Sequence, residues 1–85
     1  MKVLLVDDEP FILQGLSVLI DWAAEGCEIV KMASNGKEAL LYLEDHEADL
    51  VITDIKMPVM SGLELLEQIR GKTDFRCVFY YTQRV

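Results

Sequence analysis

Positive charge is scarce in this chain. Eight Lys and Arg stand against 15 Asp and Glu, the net charge is −7, and no basic cluster is visible. Such a chain is repelled by nucleic-acid phosphates and anionic membranes, so direct binding to either is not expected. Long apolar runs are also lacking: none approaches the ~20 residues that span a bilayer. Met1-Lys2 followed by Val3-Leu4-Leu5-Val6 has the opening of a signal peptide, but Asp7, Asp8 and Glu9 end the apolar run far too early for one. There are two cysteines, Cys27 and Cys77, with neither ligand-like nor disulfide-like spacing. They read as reduced, mostly buried thiols of a cytoplasmic protein. No glycine-rich loop follows the first apolar run, and acids at Asp7-Asp8 would repel a pyrophosphate, which argues against nucleotide binding. The one histidine, His46, sits between Asp45 and Glu47. It could serve as a phosphorelay or metal histidine, but a solvated helix end is the simpler account. No repeat, linker or low-complexity stretch is present, and 85 residues make one domain with a small core and a thin stability margin.

What the chain does contain is ordinary for a globular protein, with 52% hydrophobic and 27% charged residues. Val3–Val6 is an apolar run suited to a buried strand, and it ends in Asp7-Asp8-Glu9-Pro10. Proline fits the first turn of a helix, where its missing N–H costs nothing. Ile12, Leu13, Leu16, Leu19 and Ile20 then recur at helical spacing as one apolar face. Asp21-Trp22 breaks that pattern, and Trp22 is placed to pack over the helix end. Glu28–Met32 is a short strand. Asn35 reads as the N-cap of a second helix, with Glu38 completing a capping box and Ala39, Leu40 and Leu43 forming the buried stripe. Leu50-Val51-Ile52 is a strand buried on both faces, ending on Thr53 and Asp54, and Met57-Pro58 stops regular structure after it. Ser61 and Glu64 form another capping box, followed by Leu65, Leu66 and Ile69, with Arg70, Gly71 and Lys72 suiting the helix end. Arg76–Thr82 is a last strand. Strands alternating with helices imply a parallel sheet with helices on both faces and right-handed crossovers.

Two of these strands end in acid. If the first and third are neighbours, ~5 Å apart, Asp7, Asp8 and Asp54 converge at one sheet edge, the edge where open α/β sheets bind ligands. An acid ending a single strand is usually a solvated turn former or a helix cap. Three acids brought together repel one another and would raise at least one pKa unless a cation neutralises them. An all-oxygen site suits Mg²⁺, and an aspartate beside it can attack a phosphoryl group to form an acyl phosphate. Asp54 is read as that reactive residue.

Val3-Leu4-Leu5-Val6-Asp7-Asp8-Glu9-Pro10, Asn35-Gly36-Lys37-Glu38-Ala39-Leu40, and Asp49 to Pro58 with Gly62 together resemble the receiver domain of two-component response regulators over the whole chain. The resemblance implies an α/β, flavodoxin-like, doubly wound parallel sheet of strand order 2-1-3-4, with residues 1–85 forming a partial receiver domain that lacks the last helix, fifth strand and final helix. It implies Asp54 as phosphoacceptor, Asp7 and Asp8 with Asp54 as Mg²⁺ ligands, the backbone carbonyl of Lys56 as a further ligand, and Thr82 as the hydroxyl that contacts the phosphoryl group. A sensor histidine kinase is the implied partner. Ile20-Asp21-Trp22 and the wording from Thr53 to Pro58 look most like receivers joined to AraC-type DNA-binding regions.

The departures from the family carry expectations of their own. The lysine that ends the family's fifth strand is lacking, so Mg²⁺ binding is expected to persist while phosphorylation is weakened. The Cys77–Tyr81 strand is expected to be an open edge that favours self-association. Gln83 stands where a small residue is usual. Two other functions compete. One is an interaction fragment that keeps the fold without switching. The other is a Mg²⁺-dependent phosphohydrolase working through an aspartyl phosphate; the haloacid-dehalogenase pattern, however, asks for an acid two residues after the nucleophile, where Lys56 stands.

Overall fold

The computed structural model describes residues 1–55, 57 and 60–69, together with the backbone of 77–81. The elements run β1 (Lys2–Val6), α1 (Pro10–Leu19), β2 (Glu28–Ala33), α2 (Gly36–Asp45), β3 (Leu50–Asp54), α3 (Gly62–Ile69) and β4 (Cys77–Tyr81). The four strands form one parallel sheet in the order β2-β1-β3-β4. The alternation of elements predicts a parallel sheet, and the strand order is the doubly wound, flavodoxin-like one that the family resemblance implies.

Side chains of β1 divide between two cores, as the two-residue period of a strand requires. Leu4 and Val6 pack with Ala39 and Leu43 of α2, Leu65 and Ile69 of α3, and Val51. Val3 and Leu5 point the other way, to Leu13 of α1 and Leu50, with Leu16 and Trp22 at the margin. So α2 and α3 cover one face of the sheet and α1 the other. Both covering helices bury a narrow stripe: Gly36, Ala39 and Leu43 in α2, and Gly62, Leu65 and Ile69 in α3. Each stripe follows the helical i, i+3, i+7 spacing.

The helix starts are chemically defined. Asn35 Oδ1 accepts the Glu38 N–H at 2.8 Å. The Glu38 carboxylate reaches back not to Asn35, as a simple capping box would have it, but one residue further, to the N–H and hydroxyl of Ser34 at 3.3 and 2.6 Å. Ser61 and Glu64 form the reciprocal pair that their spacing predicts, at 3.1 and 3.2 Å. α1 begins with Pro10 and has no side-chain cap.

The apolar face expected of α1 is covered only in part. Leu13 is buried and Ile12 and Leu16 are half-buried, whereas Leu19 is 83% and Ile20, just past the helix, 39% exposed, and Phe11 and Val18 also face outward. The helix stops at Leu19 and turns out into extended backbone at Ile20. The Trp22 indole N–H donates to the Leu16 carbonyl at 3.0 Å and closes the helix end, as its position suggested. A helix resting on a sheet buries only the line it rests on, so a wide apolar stripe in α1 leaves its outer part uncovered among the described residues. The strand expected over Glu28–Met32 extends one residue further, to Ala33. The expected helix end at Arg70, Gly71 and Lys72 lies outside the described residues, as do Arg76 and Thr82 of the last strand.

The register of β1 on β3 fixes which residues meet at the carboxyl edge of the sheet. Val3, Leu4, Leu5 and Val6 stand opposite Leu50, Val51, Ile52 and Thr53. It is held at the far end by Asp49, whose carboxylate accepts the Lys2 N–H and whose own N–H donates to the Lys2 carbonyl, both at 2.8 Å.

Candidate metal centre

Asp7 is the first residue after β1, and Asp54 is the last residue of β3. With Val6 opposite Thr53, the next step on each strand sets Asp7 beside Asp54 at the carboxyl edge of the sheet. Asp8 joins them. One carboxylate oxygen from each of Asp7, Asp8 and Asp54 lies within 4.8 Å of the others. Asp7 and Asp54 are buried, at 0% and 3% exposure, whereas Asp8 opens to solvent. The convergence expected from sequence is therefore present.

The backbone around the cluster is tied down. The Asp7 N–H donates to the Ala33 carbonyl at the end of β2, at 3.0 Å. Asp7 Oδ1 accepts the Glu9 N–H at 2.8 Å, which turns the chain toward α1. On the other strand, buried Thr53 donates its hydroxyl to the Asp54 carbonyl at 3.0 Å. The Gly62 N–H, at the start of α3, donates to the Ile55 carbonyl at 2.9 Å. Met57 is buried in the larger core and Met60 packs at its margin.

Two ionised carboxylates ~4–5 Å apart repel by about 3–4 kcal/mol at an effective dielectric of ~20. A hard divalent cation reverses that term. Mg²⁺ takes oxygen ligands at ~2.0–2.1 Å, so opposite ligands of one octahedral ion stand ~4 Å apart. Three oxygens within 4.8 Å are thus in reach of one small cation. The donor set also fits: all oxygen, few carboxylates, and one side open to water for the remaining positions.

Two of the residues singled out from sequence, Lys56 and Thr82, lie outside the described residues. His46 is at the opposite end of the sheet from the acids. It follows α2, stacks on Tyr42 with ring centroids 4.3 Å apart, and has Nδ1 3.2 Å from the Tyr42 carbonyl. Cys27 is a free, half-buried thiol. Sequence reasoning overlooked the parts played by Thr53, Gly62 and Ser34. A buried threonine next to the acid, and a glycine opening a helix just beyond the turn, were the available signals.

The fold and the site together define a doubly wound parallel α/β domain with an acidic triad at the tips of two adjacent strands. The chain belongs to the response regulator receiver domain family, which it matches over residues 3–84. It is 43% identical over 68 residues to the uncharacterized transcriptional regulatory protein YesN of Bacillus subtilis, covering 80% of this chain and 18% of that protein. Among solved structures it is similar to a two-component transcriptional regulator AraC from Clostridium phytofermentans (28% identity, TM-score 0.84, 99% of this chain and 68% of that one). It is also similar to the response regulator TrrA of Thermotoga maritima, solved in complex with Mg²⁺-BeF (41% identity, TM-score 0.79, 95% and 68%). The chain thus spans about a fifth of the length of YesN.

Proposed function

We propose that this chain is a phosphoacceptor. Asp54 takes a phosphoryl group in the presence of Mg²⁺, and the change of charge at the sheet edge alters which proteins the domain binds. The observation that carries the reading is the meeting of Asp7, Asp8 and Asp54 from two adjacent strand tips. In this reading Asp7, Asp8, Asp54 and the Lys56 carbonyl hold the cation, and the Thr82 hydroxyl contacts the phosphoryl group. When bound, Mg²⁺ neutralises charge on the transferred oxygens.

The step needs little from the protein beyond position and charge. An Asp54 carboxylate oxygen attacks phosphorus in line with the donor's leaving atom. A P–O bond to Asp54 forms as the bond from phosphorus to the donor breaks, and that electron pair leaves with the donor. A phosphohistidine loses its imidazole, which takes up a proton; acetyl phosphate loses acetate. The natural donor is a sensor histidine kinase, and the setting is cytoplasmic. The domain is a substrate and switch, not an enzyme turning over a separate substrate. Output in the AraC-type regulators it resembles passes to a DNA-binding region, so this acidic chain need not touch nucleic acid itself.

The test is incubation with Mg²⁺ and acetyl phosphate followed by intact-mass measurement. One phosphoryl group gained per chain, dependent on Mg²⁺ and abolished in Asp54→Asn, supports the reading. Mg²⁺ binding without any mass gain favours a module that keeps the fold and the cation but does not switch.

A further inference from the structure

The Asp54 main chain is closely held. Its carbonyl oxygen accepts the hydroxyl of Thr53, a side chain with no exposed surface, at 3.0 Å. On its other side lies Gly62, the first residue of α3. A Cβ placed on Gly62 would overlap the Asp54 carbonyl oxygen and lie 3.2 Å from both the Asp54 carbonyl carbon and Ile55 Cα. The neighbours in question are backbone atoms, which cannot swing aside as a flexible side chain would. Gly62 also donates its N–H to the Ile55 carbonyl at 2.9 Å, closing the turn that follows Asp54.

These contacts have a common target. Thr53 and Gly62 grip the peptide group that joins Asp54 to Ile55, and the bond from the Gly62 N–H to the Ile55 carbonyl holds the chain just beyond it. The Asp54 carboxylate hangs from that peptide through two rotatable bonds. Any shift of the peptide moves the carboxylate relative to Asp7 and Asp8, which follow a different strand and do not move with it. Atoms that orient a metal ligand without touching the metal commonly change affinity ~10–100-fold when removed.

We infer that Gly62 and Thr53 are positioning residues for Asp54: together they clamp its peptide group so that its carboxylate meets those of Asp7 and Asp8. The need at Gly62 is for the space a Cβ would occupy, not for unusual backbone angles; among the described residues Gly26 is the glycine with a positive φ, at 71°. The inference rests on the proposed Mg²⁺ site and adds two residues to it.

Gly36 supplies the control. A Cβ there would also be crowded, at 2.9 and 3.0 Å from Met60 Cβ and Cγ and 3.1 Å from the Met60 carbonyl oxygen, but with no atom of Asp54 or Ile55 among its three nearest neighbours. Mg²⁺ affinity and melting temperature are measured for the full chain, Gly62→Ala, Thr53→Val and Gly36→Ala. Gly62→Ala is expected to weaken Mg²⁺ binding roughly 10-fold or more. Thr53→Val, nearly isosteric, should weaken it by a smaller factor while keeping the fold. Gly36→Ala should lower the melting temperature yet keep the parent affinity. Parent-like Mg²⁺ affinity in folded Gly62→Ala and Thr53→Val overturns the inference, as does an equal loss in Gly36→Ala. Should Gly62→Ala not fold, Thr53→Val decides, along with amide exchange in the unaltered chain. By linkage, Mg²⁺ should slow exchange at the Gly62 amide more than at the Glu28 amide, which bonds Met1 at the opposite sheet edge. Equal slowing counts against the inference. An unaltered chain that binds no Mg²⁺ removes the metal site and this inference together, whereas binding that survives both substitutions removes the inference alone.

Discussion

Val6 stands opposite Thr53 in the β1–β3 ladder, and that one pairing decides where the acids go. The next residues on the two strands are Asp7 and Asp54. A slip of one residue would turn the side chains of one strand to the opposite face and part the two carboxylates. The reciprocal Lys2–Asp49 bonds at the other end of the ladder guard against that slip.

Removing one acid from the triad should separate metal binding from folding. Asp7→Asn or Asp54→Asn is expected to weaken Mg²⁺ binding by at least ~10-fold, since Mg²⁺ depends on a small number of carboxylates. The fold should survive, because one source of like-charge repulsion disappears with the acid. Titration calorimetry with Mg²⁺ reads the first effect and thermal melting the second. Unchanged affinity in both variants would mean that the cluster is not a cation site.

The larger core should be unforgiving. A domain of this length is stable by only ~4–13 kcal/mol, at ~0.05–0.15 kcal/mol per residue. Leu65 is 1% exposed and packs with Leu4, Val6, Ala39 and Ile69. Leu65→Ala is expected to cost ~2–5 kcal/mol, lowering the melting temperature by ~10 °C or more. Leu63, two residues earlier on the same helix but 54% exposed, should change stability by ~0.5 kcal/mol or less on the same substitution. Equal losses at the two positions would contradict the packing described.

How much of the fold and the site was legible in the sequence depends on the kind of signal each feature leaves. The buried strands announce themselves as uninterrupted apolar runs, because both faces are covered, and the acids that end them are visible in the next letters. The capping pairs at Asn35–Glu38 and Ser61–Glu64 are local and fall at fixed spacing. The bond from Glu38 to Ser34 is equally local but one residue off the usual pattern. The outer exposure of α1 could not be read, because periodicity marks which residues could be buried and not how far the sheet reaches under them. The crowding at Gly62 was hidden for a different reason. A glycine that opens a helix looks the same whether the space beside it is empty or filled by the peptide of Asp54.

The sheet's outer edge bears on association. Among the described residues no strand pairs with the far side of β4, and the sequence of that strand is Cys-Val-Phe-Tyr-Tyr. Unpaired N–H and C=O groups on an apolar strand favour pairing with another chain. The opposite edge is better guarded: β2 carries Glu28 and Lys31, and its pairing with β1 is irregular between Val3 and Leu4. The isolated chain is expected to self-associate through 77–81, with an average mass that rises with concentration in sedimentation. One monomeric species over the whole range would reject this.

The cap at α2 should leave a signature in acid. The Ser34 hydroxyl, 2.6 Å from Glu38 Oε2, is the main cause that holds the Glu38 carboxyl below the ordinary glutamate range. Partial burial opposes the shift, while the Ser34 N–H and Lys31, 3.5 Å away, assist it. A carboxyl whose folded-state pKa is depressed adds stability that is complete above its unfolded pKa and fades as pH falls through the folded value. The Glu38 side chain is 37% exposed, so solvent screening keeps the electrostatic share to a few tenths of a kcal/mol. Glu38→Gln should therefore be slightly less stable than the parent chain at neutral pH, and the gap should close once the pH is well below the glutamate range. Urea unfolding of both chains at the two pH values measures it. A gap that stays constant, or widens in acid, would show that the carboxylate's charge contributes nothing to the cap.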